Sequence, residues 1–300
     1  MAAGIVVQRK RKEGFVRGLS FLCAFVSVLT TIGIVWTLVS ETVVFFRDVG
    51  IGEFLFGTRW SPVIEPRAFG ILPLFAGTML VAIGAALLAV PIGLFVAIYL
   101  CEYAAPGVRR WVKPVLELLA GIPTIVYGFF ALFFVTPLIQ RYLLPDLPTF
   151  NALSACIVVA IMILPTIASL SEDALRSVPQ SLREGGLAMG ATKGEVIRSI
   201  VVRGAFSGIM SSVLLAISRA VGETMAVTLA AGMQPNLTVN PTETIQTMSA
   251  FIVQLAKGDT PRGTTEYQTI YAVGLTLFAI TLVMNLMAAR LVKRFRYNYG

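Results

Sequence analysis

GILPLFAGTMLVAIGAALLAVPIGLFVAIYL, residues 70–100, contains no Asp, Glu, Lys, Arg or His. A helix needs roughly 20 apolar residues to cross the hydrocarbon core of a bilayer, so this run spans it with length to spare. Outward from it, five more apolar runs recur at about 19–46, 115–139, 152–170, 204–232 and 270–289, each bounded by charges, Pro or polar residues. The 300 residues are 56% hydrophobic and 13% charged, with a mean hydropathy of +0.81, which leaves no length for a large soluble domain. The expected fold class is an all-α integral membrane protein of six transmembrane helices.

Charge distribution orients those helices. The segments 1–18, 101–114, 171–203 and 290–300 hold 17 Lys and Arg, against 6 in 47–69, 140–151 and 233–269, so the first set is expected inside and both termini cytoplasmic. The basic flank Arg9, Lys10, Arg11, Lys12 and Arg17 is followed by no small-residue cleavage site, and the first run is expected to stay. Pro73, Pro91, Pro123, Pro137 and Pro165 fall within or at the ends of spans and predict kinked or broken helices.

Several chemistries lose their usual residues. With no histidine, the commonest metal ligand and general base is missing, and Cys23, Cys101 and Cys156 sit in or beside apolar runs without CxxC spacing. Neither a metal site nor a disulfide is expected. The net charge of +8 records topology rather than nucleic-acid binding. The adjacent acids Glu172 and Asp173 are read as a solvated helix end.

Two connections are too long for bare turns. The outer segment 233–269 contains TIQTMSAFIVQLAK, an amphipathic patch expected to form a short interfacial or re-entrant helix, serving either as a functional loop or as a lid. The inner segment SEDALRSVPQSLREGGLAMGATKGEVIRSIVVR is expected to form two short helices joined at Gly190. Ser181 with Glu184 and Thr192 with Glu195 have the spacing of capping boxes, and the small residues Gly185, Gly186 and Ala188 allow close approach of a partner.

SRAVGETMAVTLAAG, residues 218–232, places Arg219 and Glu223 inside the fifth run, where an arginine near the midplane costs about 2.5–3.5 kcal/mol. Arg219 is therefore expected to face the bundle interior, a partner helix or water. On a continuous helix Glu223 shares its face, together with Ser212, Ala216, Gly222, Ala226 and Ala230. Two readings stay open: a buried ion pair fixing helix register, or groups lining a path, with hydroxyls from Ser212, Ser218, Thr224 and Thr228 as further donors.

EGGLAMGATKGEVIRSIVV resembles the EAA loop of binding-protein-dependent ABC-importer permeases, with Glu184, Gly185, Gly186, Gly190 and Ile200 on the pattern and Val202 and Arg203 departing from it. VPIGLFVAIYLCEYAAP, LLAGIPTIVYGFFALFF, ILPTIASLSEDALRSVP and SRAVGETMAVTLAAG extend the likeness to the phosphate permeases of that family over residues 70–296. The resemblance implies the type I (MetI-like) permease fold, with 1–69 as tail, first helix and outer connection, 70–300 as permease core, and 171–203 as coupling loop. It implies four partners in a prokaryotic cell membrane: a second permease subunit, an ATPase dimer, an extracytoplasmic phosphate-binding protein and inorganic phosphate. No cofactor is expected on this chain, which lacks a GxxxxGK[ST] loop; ATP and magnesium would belong to the ATPase. Arg219 then suits a phosphate path, because a guanidinium stays charged and offers two parallel donors to an oxyanion. Alternatives are another tetrahedral oxyanion, sulfate or molybdate, or an intramembrane enzyme acting on phosphorylated lipids.

Overall fold

The computed structural model describes residues 2–258 and 260–294, with side chains for 16–258 and 260–293. The basic side chains Arg9, Lys10, Arg11 and Lys12, and residues 295–300 of the C-terminal flank, lie outside the described residues.

A long first helix, α1 (Ala2–Asp48), is followed by α2 (Ile51–Phe56) and a minimal antiparallel hairpin, β1 (Trp60–Ser61) with β2 (Ala68–Phe69). Next come α3 (Leu72–Ile98), which widens into a π-helical turn at Tyr99–Tyr103, then α4 (Pro106–Ala120), α5 (Thr124–Phe130), α6 (Thr136–Tyr142) and α7 (Ala152–Arg176). The rest comprises α8 (Gln180–Ala188), α9 (Lys193–Val196), α10 (Val202–Gly204), α11 (Phe206–Val221), α12 (Met225–Ala231), α13 (Met248–Lys257) and α14 (Thr265–Arg294). Five helical stretches are long and apolar enough to cross a membrane: Val16–Asp48, Leu72–Tyr103, Thr124–Tyr142, Ala152–Arg176 and Thr265–Lys293.

The sixth crossing is not the straight helix expected over 204–232. The chain bends by 68° between Lys193–Gly204 and Phe206–Val221, and α11 then ends at Val221. The ladder breaks because the Glu223 carboxylate accepts the Ala226 N–H at 3.2 Å, opening α12 as a new helix. The third run, expected over 115–139, also divides. Gly121 and Pro123 end α4 and open α5, so the span begins at Thr124 and α4 is a separate amphipathic helix.

The core forms where α3 and α7 approach closely. A Cβ on Gly84 would lie 2.6 Å from Cys156 Sγ, and one on Gly93 would lie 2.9 Å from Ile167 Cγ2. Small and branched residues complete the seam, including Val81, Ala85, Ala89, Ala155, Val158, Val159 and Ile163, all buried. With lipid outside as apolar as the side chains inside, such contact and internal hydrogen bonding hold membrane helices together. Thr136 Oγ1 donates to Ser154 Oγ at 2.8 Å, and Ser171 and Ser212 share a hydroxyl bond of 2.7 Å between α7 and α11.

Both ends of α7 are secured. At its start, Asn151 Oδ1 accepts from Ser154 N at 2.7 Å, while Ala152 N donates to Glu243 O and Leu153 N to Pro241 O. The outer segment thus folds back onto α7 and supplies acceptors that its first N–H groups lack. Ile245, Gln246 and Thr247 are buried there, and the amphipathic patch forms α13, capped by Thr247, whose hydroxyl accepts from Ala250 N. A Cβ on Gly77 of α3 would lie 2.5 Å from Gln246 O, so this segment packs directly on the backbone of α3.

At its far end, Glu172 corrects the solvated reading. Its side chain is 1% exposed and gathers Arg109 at 2.5 Å and Lys113 at 3.0 Å from α4, with Arg176 at 3.8 Å. The Arg109 contact joins charges off the hydrogen-bonding line, since Glu172 Oε1 accepts no aligned hydrogen bond. Asp173 adds a 2.7 Å contact to Lys113. Hydrogen bonds to Asp173 first, and to Glu172, raise the Lys113 amine above its ordinary 10.5 against the opposing effect of burial. The part of the clamp's stabilisation that comes from Lys113 ionisation therefore fades only as pH rises through the higher folded value, leaving it intact at neutral pH.

Two substitutions test this packing. Gly84→Ala should cost about 1–3 kcal/mol in a thermal unfolding series in detergent, and Cys156→Ala in the same chain should recover much of that by removing the opposing sulfur. Glu172→Gln should cost about 2–4 kcal/mol by stranding Arg109 and Lys113, with protease nicking concentrated in 104–123; unchanged cleavage there would contradict the clamp.

Candidate functional site

Two clusters carry the expected functional residues: the loop following α7, and the break between α11 and α12. The loop turns at Gly190, whose φ of +84° favours a residue without a Cβ. The Thr192–Glu195 capping box forms as expected, with Thr192 N donating to Glu195 Oε2 at 2.7 Å. Those donated bonds from Thr192 hold the Glu195 carboxyl below the usual carboxylate range. The Ser181–Glu184 box does not form. Pro179 is the residue capping α8, which puts Ser181 inside the helix, and no side chain caps that end.

The paired glycines divide their work. A Cβ on Gly186 would meet Ile200 Cδ1 at 2.6 Å and Val196 Cγ2 at 3.0 Å, so Gly186 lets α8 settle on the returning chain, with Ile200 half-buried beneath it. Gly185 has open space and sits on the exposed side with Glu184, Leu187 and Met189, the last 88% exposed. An exposed methionine and leucine beside a bare backbone leave an adaptable apolar surface on α8.

Basic residues unused by the motif wire this loop to the end of α3. Arg183 pairs with Glu102 and donates to Leu175 O at 2.7 Å, while Lys193 donates to Glu102 O and lies 4.5 Å from the centre of the Tyr103 ring. No local spacing signals these contacts, because Glu102 and Arg183 are far apart in the chain. The Glu172 clamp had a visible sign, adjacent acids in a chain whose α4 is rich in arginine and lysine.

At the break, the expected Arg219–Glu223 pair is absent. Arg219 has no ion-pair partner among the described residues and is exposed in the last turn of α11. Glu223 is 8% exposed and turned inward, its carboxylate on Ala226 N and its carbonyl accepting from Ser249 Oγ at 2.8 Å. The four-residue relation needs an unbroken helix, and the helix ends between the two.

The expected shared face also divides. Ser212, Ala216, Ala226 and Ala230 are buried against neighbouring helices, whereas Ser211, Leu215, Arg219 and Gly222 form an outward stripe. Ser212 donates to Ile209 O at 2.7 Å besides bonding Ser171, which places it in the helix contact rather than beside Arg219. Ser218 donates to Asn285 Oδ1 of α14 at 2.9 Å; Thr224 and Thr228 donate to the local carbonyls of Gly222 and Thr224. Arg219 lies within electrostatic reach of Tyr127, whose hydroxyl donates to Leu119 O. A guanidinium at this depth is not stable against lipid, so the outward stripe of α11 requires cover by protein or water.

Comparison with known proteins gives the family and the fold. Residues 89–297 match the family described as binding-protein-dependent transport system inner membrane component. A probable ABC transporter permease protein, YqgH of Bacillus subtilis, is 35% identical over 91% of this chain and 88% of its own length. The phosphate transport system permease protein PstC of Mesorhizobium japonicum is 35% identical over 83% of this chain and 80% of its own.

Among solved structures, a bacterial alginate ABC transporter in complex with a pentasaccharide-bound periplasmic protein superposes with a TM-score of 0.59 at 16% identity. That match covers 91% of this chain and 95% of the other. The inward-facing MetNI methionine transporter gives 0.56 at 17% identity, covering 75% and 94%. At these identities the structures speak for the fold alone: the type I importer permease fold. The chain belongs to the family of inner membrane components of binding-protein-dependent transport systems, as an ABC-importer permease rather than an enzyme.

Proposed function

We propose that this chain forms one half of the transmembrane pathway of an ATP-driven importer of inorganic phosphate in a prokaryotic inner or plasma membrane. Its partners are a second permease subunit, an ATPase dimer and an extracytoplasmic phosphate-binding protein. The excess of Lys and Arg in 1–18, 101–114, 171–203 and 290–300 supports placing both termini and the α8–α9 loop in the cytoplasm, where the ATPase works.

Arg219 carries the anion reading: it is a permanently charged donor fork at mid-depth, unpaired among the described residues and facing outward from the chain. The second permease completes an aqueous path over it, and a passing phosphate oxygen meets the guanidinium. Glu223 holds the helix break that presents Arg219, and Ser212 fixes α11 on α7. Thr224, half-buried in the break, is the next hydroxyl along the chain after Arg219, while the adjacent Ser218 donates to Asn285. A single exposed guanidinium without enclosing donors binds weakly, as passage requires. Phosphate is favoured over sulfate or molybdate because several relatives 31–35% identical to this chain bear the name phosphate transport permease.

The coupling loop reads as the ATPase contact through Glu184, Gly185 and the exposed Leu187 and Met189, with Gly186, Gly190 and Ile200 shaping it from within. Its bonds to Glu102 and Tyr103 give ATPase movement a direct route into α3.

In vesicles holding the complete importer, Arg219→Gln should abolish ATP-driven uptake of radiolabelled phosphate while assembly and ATPase activity persist; undiminished uptake would remove Arg219 from the path. Gly185→Trp should leave the permease folded, having open space to enter, yet release the ATPase on copurification. Gly186→Trp, by contrast, should destabilise the loop itself through its collision with Ile200 and Val196. Equal ATPase retention in Gly185→Trp and wild type would contradict the docking face.

A further inference from the structure

At the root of the coupling loop lies an open cavity of about 390 Å³ that neither the docking face nor the translocation path uses. Arg109 from α4, Arg176 from the end of α7 and Arg183 from α8 all line it, beside Ser177 and Gln180, and no carboxylate does. Three guanidiniums from three helices converge on one space.

Each is oriented from behind. Arg109 and Arg176 both lean on the buried Glu172, and Arg183 is held by Glu102 and Leu175 O. The backing carboxylates fall short of the positive charge, since Asp173 serves Lys113 and leaves Glu172 and Glu102 to face the three arginines. The nine-residue helix α8 also begins beside this cavity. Its capping residue is Pro179, which supplies no side-chain acceptor, and its first turn has no acidic residue. Helix starts favour negative charge, and this one receives none from the chain.

We propose that this cavity binds a phosphate-type anion, and that the bound anion ties α4, α7 and α8 together and so restrains the coupling loop. Two sources present the same chemistry on the proposed cytoplasmic side: free phosphate, the transported product, and a phospholipid headgroup at the membrane surface. Binding itself follows from the charge geometry; its meaning as product restraint rests on the phosphate-import reading above.

The test uses the complete importer in phosphatidylcholine nanodiscs, without nucleotide or binding protein, and with Arg219→Gln so that the translocation path contributes nothing. Labelled inorganic phosphate should bind saturably and slow amide exchange in residues 180–188. Arg176 is half exposed and only 3.8 Å from its carboxylate, so Arg176→Gln leaves the fold intact and should weaken binding by about tenfold, with Arg176→Lys restoring most of it. Ser177→Asp, which sets a carboxylate at the exposed rim, should abolish both binding and the exchange effect.

Nanodiscs containing phosphatidic acid separate the sources. Loss of phosphate affinity supports the site with a headgroup as occupant, and unchanged affinity supports it with the free anion. Phosphate binding that is absent, or equal in wild type, Arg176→Gln and Ser177→Asp, overturns the proposal. An importer that takes up phosphate normally with Arg219 intact, yet fails this test in the Arg219→Gln background, leaves the transport function standing; the reverse pattern would retain the cavity and reject the transport reading.

Discussion

Close contact between α3 and α7 is the interaction on which the rest of the molecule hangs. Helices in a bilayer gain little by trading lipid for another helix unless their surfaces fit closely, and here Gly84 and Gly93 remove the side chains that would hold the pair apart. With α7 fixed at the centre, its two ends organise the two faces of the protein. At one end Pro241 and Glu243 supply acceptors to its first N–H groups, and the buried stretch 245–247 carries α13 to the helix break. The other end presents Glu172, which holds α4, and leads directly into the α8–α9 loop.

The same logic explains why the fifth span is interrupted. Backbone groups freed within a membrane need partners from the protein, and both are visible at the break: Glu223 takes an N–H from Ala226, and Ser249 satisfies the carbonyl of Glu223. The break turns a potential ion pair into two separate features. The carboxylate is spent on structure, while the guanidinium of Arg219 is left facing away from the chain. Arg219 is exposed on α11 without an ion-pair partner among the described residues, in a chain whose family is described as inner membrane components of transport systems.

Much of this was legible in the sequence because bilayer thickness imposes a length that composition alone reveals. Five of the six apolar runs contain a helix of spanning length, and the Gly190 turn and Thr192–Glu195 box declared themselves through local chemistry. What escaped depended on where the backbone stops being helical. A helical wheel drawn through 212–230 put Ser212 and Ala216 beside Arg219, but within α11 those two lie in the core while Arg219 falls on the neighbouring exposed stripe. The break after Val221 takes Glu223 off the wheel altogether. The run 115–139 likewise concealed a boundary at Gly121 and Pro123. Ser181 matched a capping spacing, yet Pro179 had already opened the helix. Glu172 looked solvated because its two nearer cationic partners, Arg109 and Lys113, come from α4, across a span and a turn, and only the longer contact to Arg176 is local.

The central claim is that Arg219 faces an aqueous passage shared with a partner subunit. Its most direct test is cysteine accessibility at that position, with Cys23, Cys101 and Cys156 replaced, in the assembled importer. The account predicts that Arg219→Cys reacts with a charged, membrane-impermeant thiol reagent, at a rate that changes with nucleotide state and falls when phosphate is present. Reaction only with lipid-soluble reagents, in every nucleotide state, would place the position against lipid or dry protein and contradict the claim.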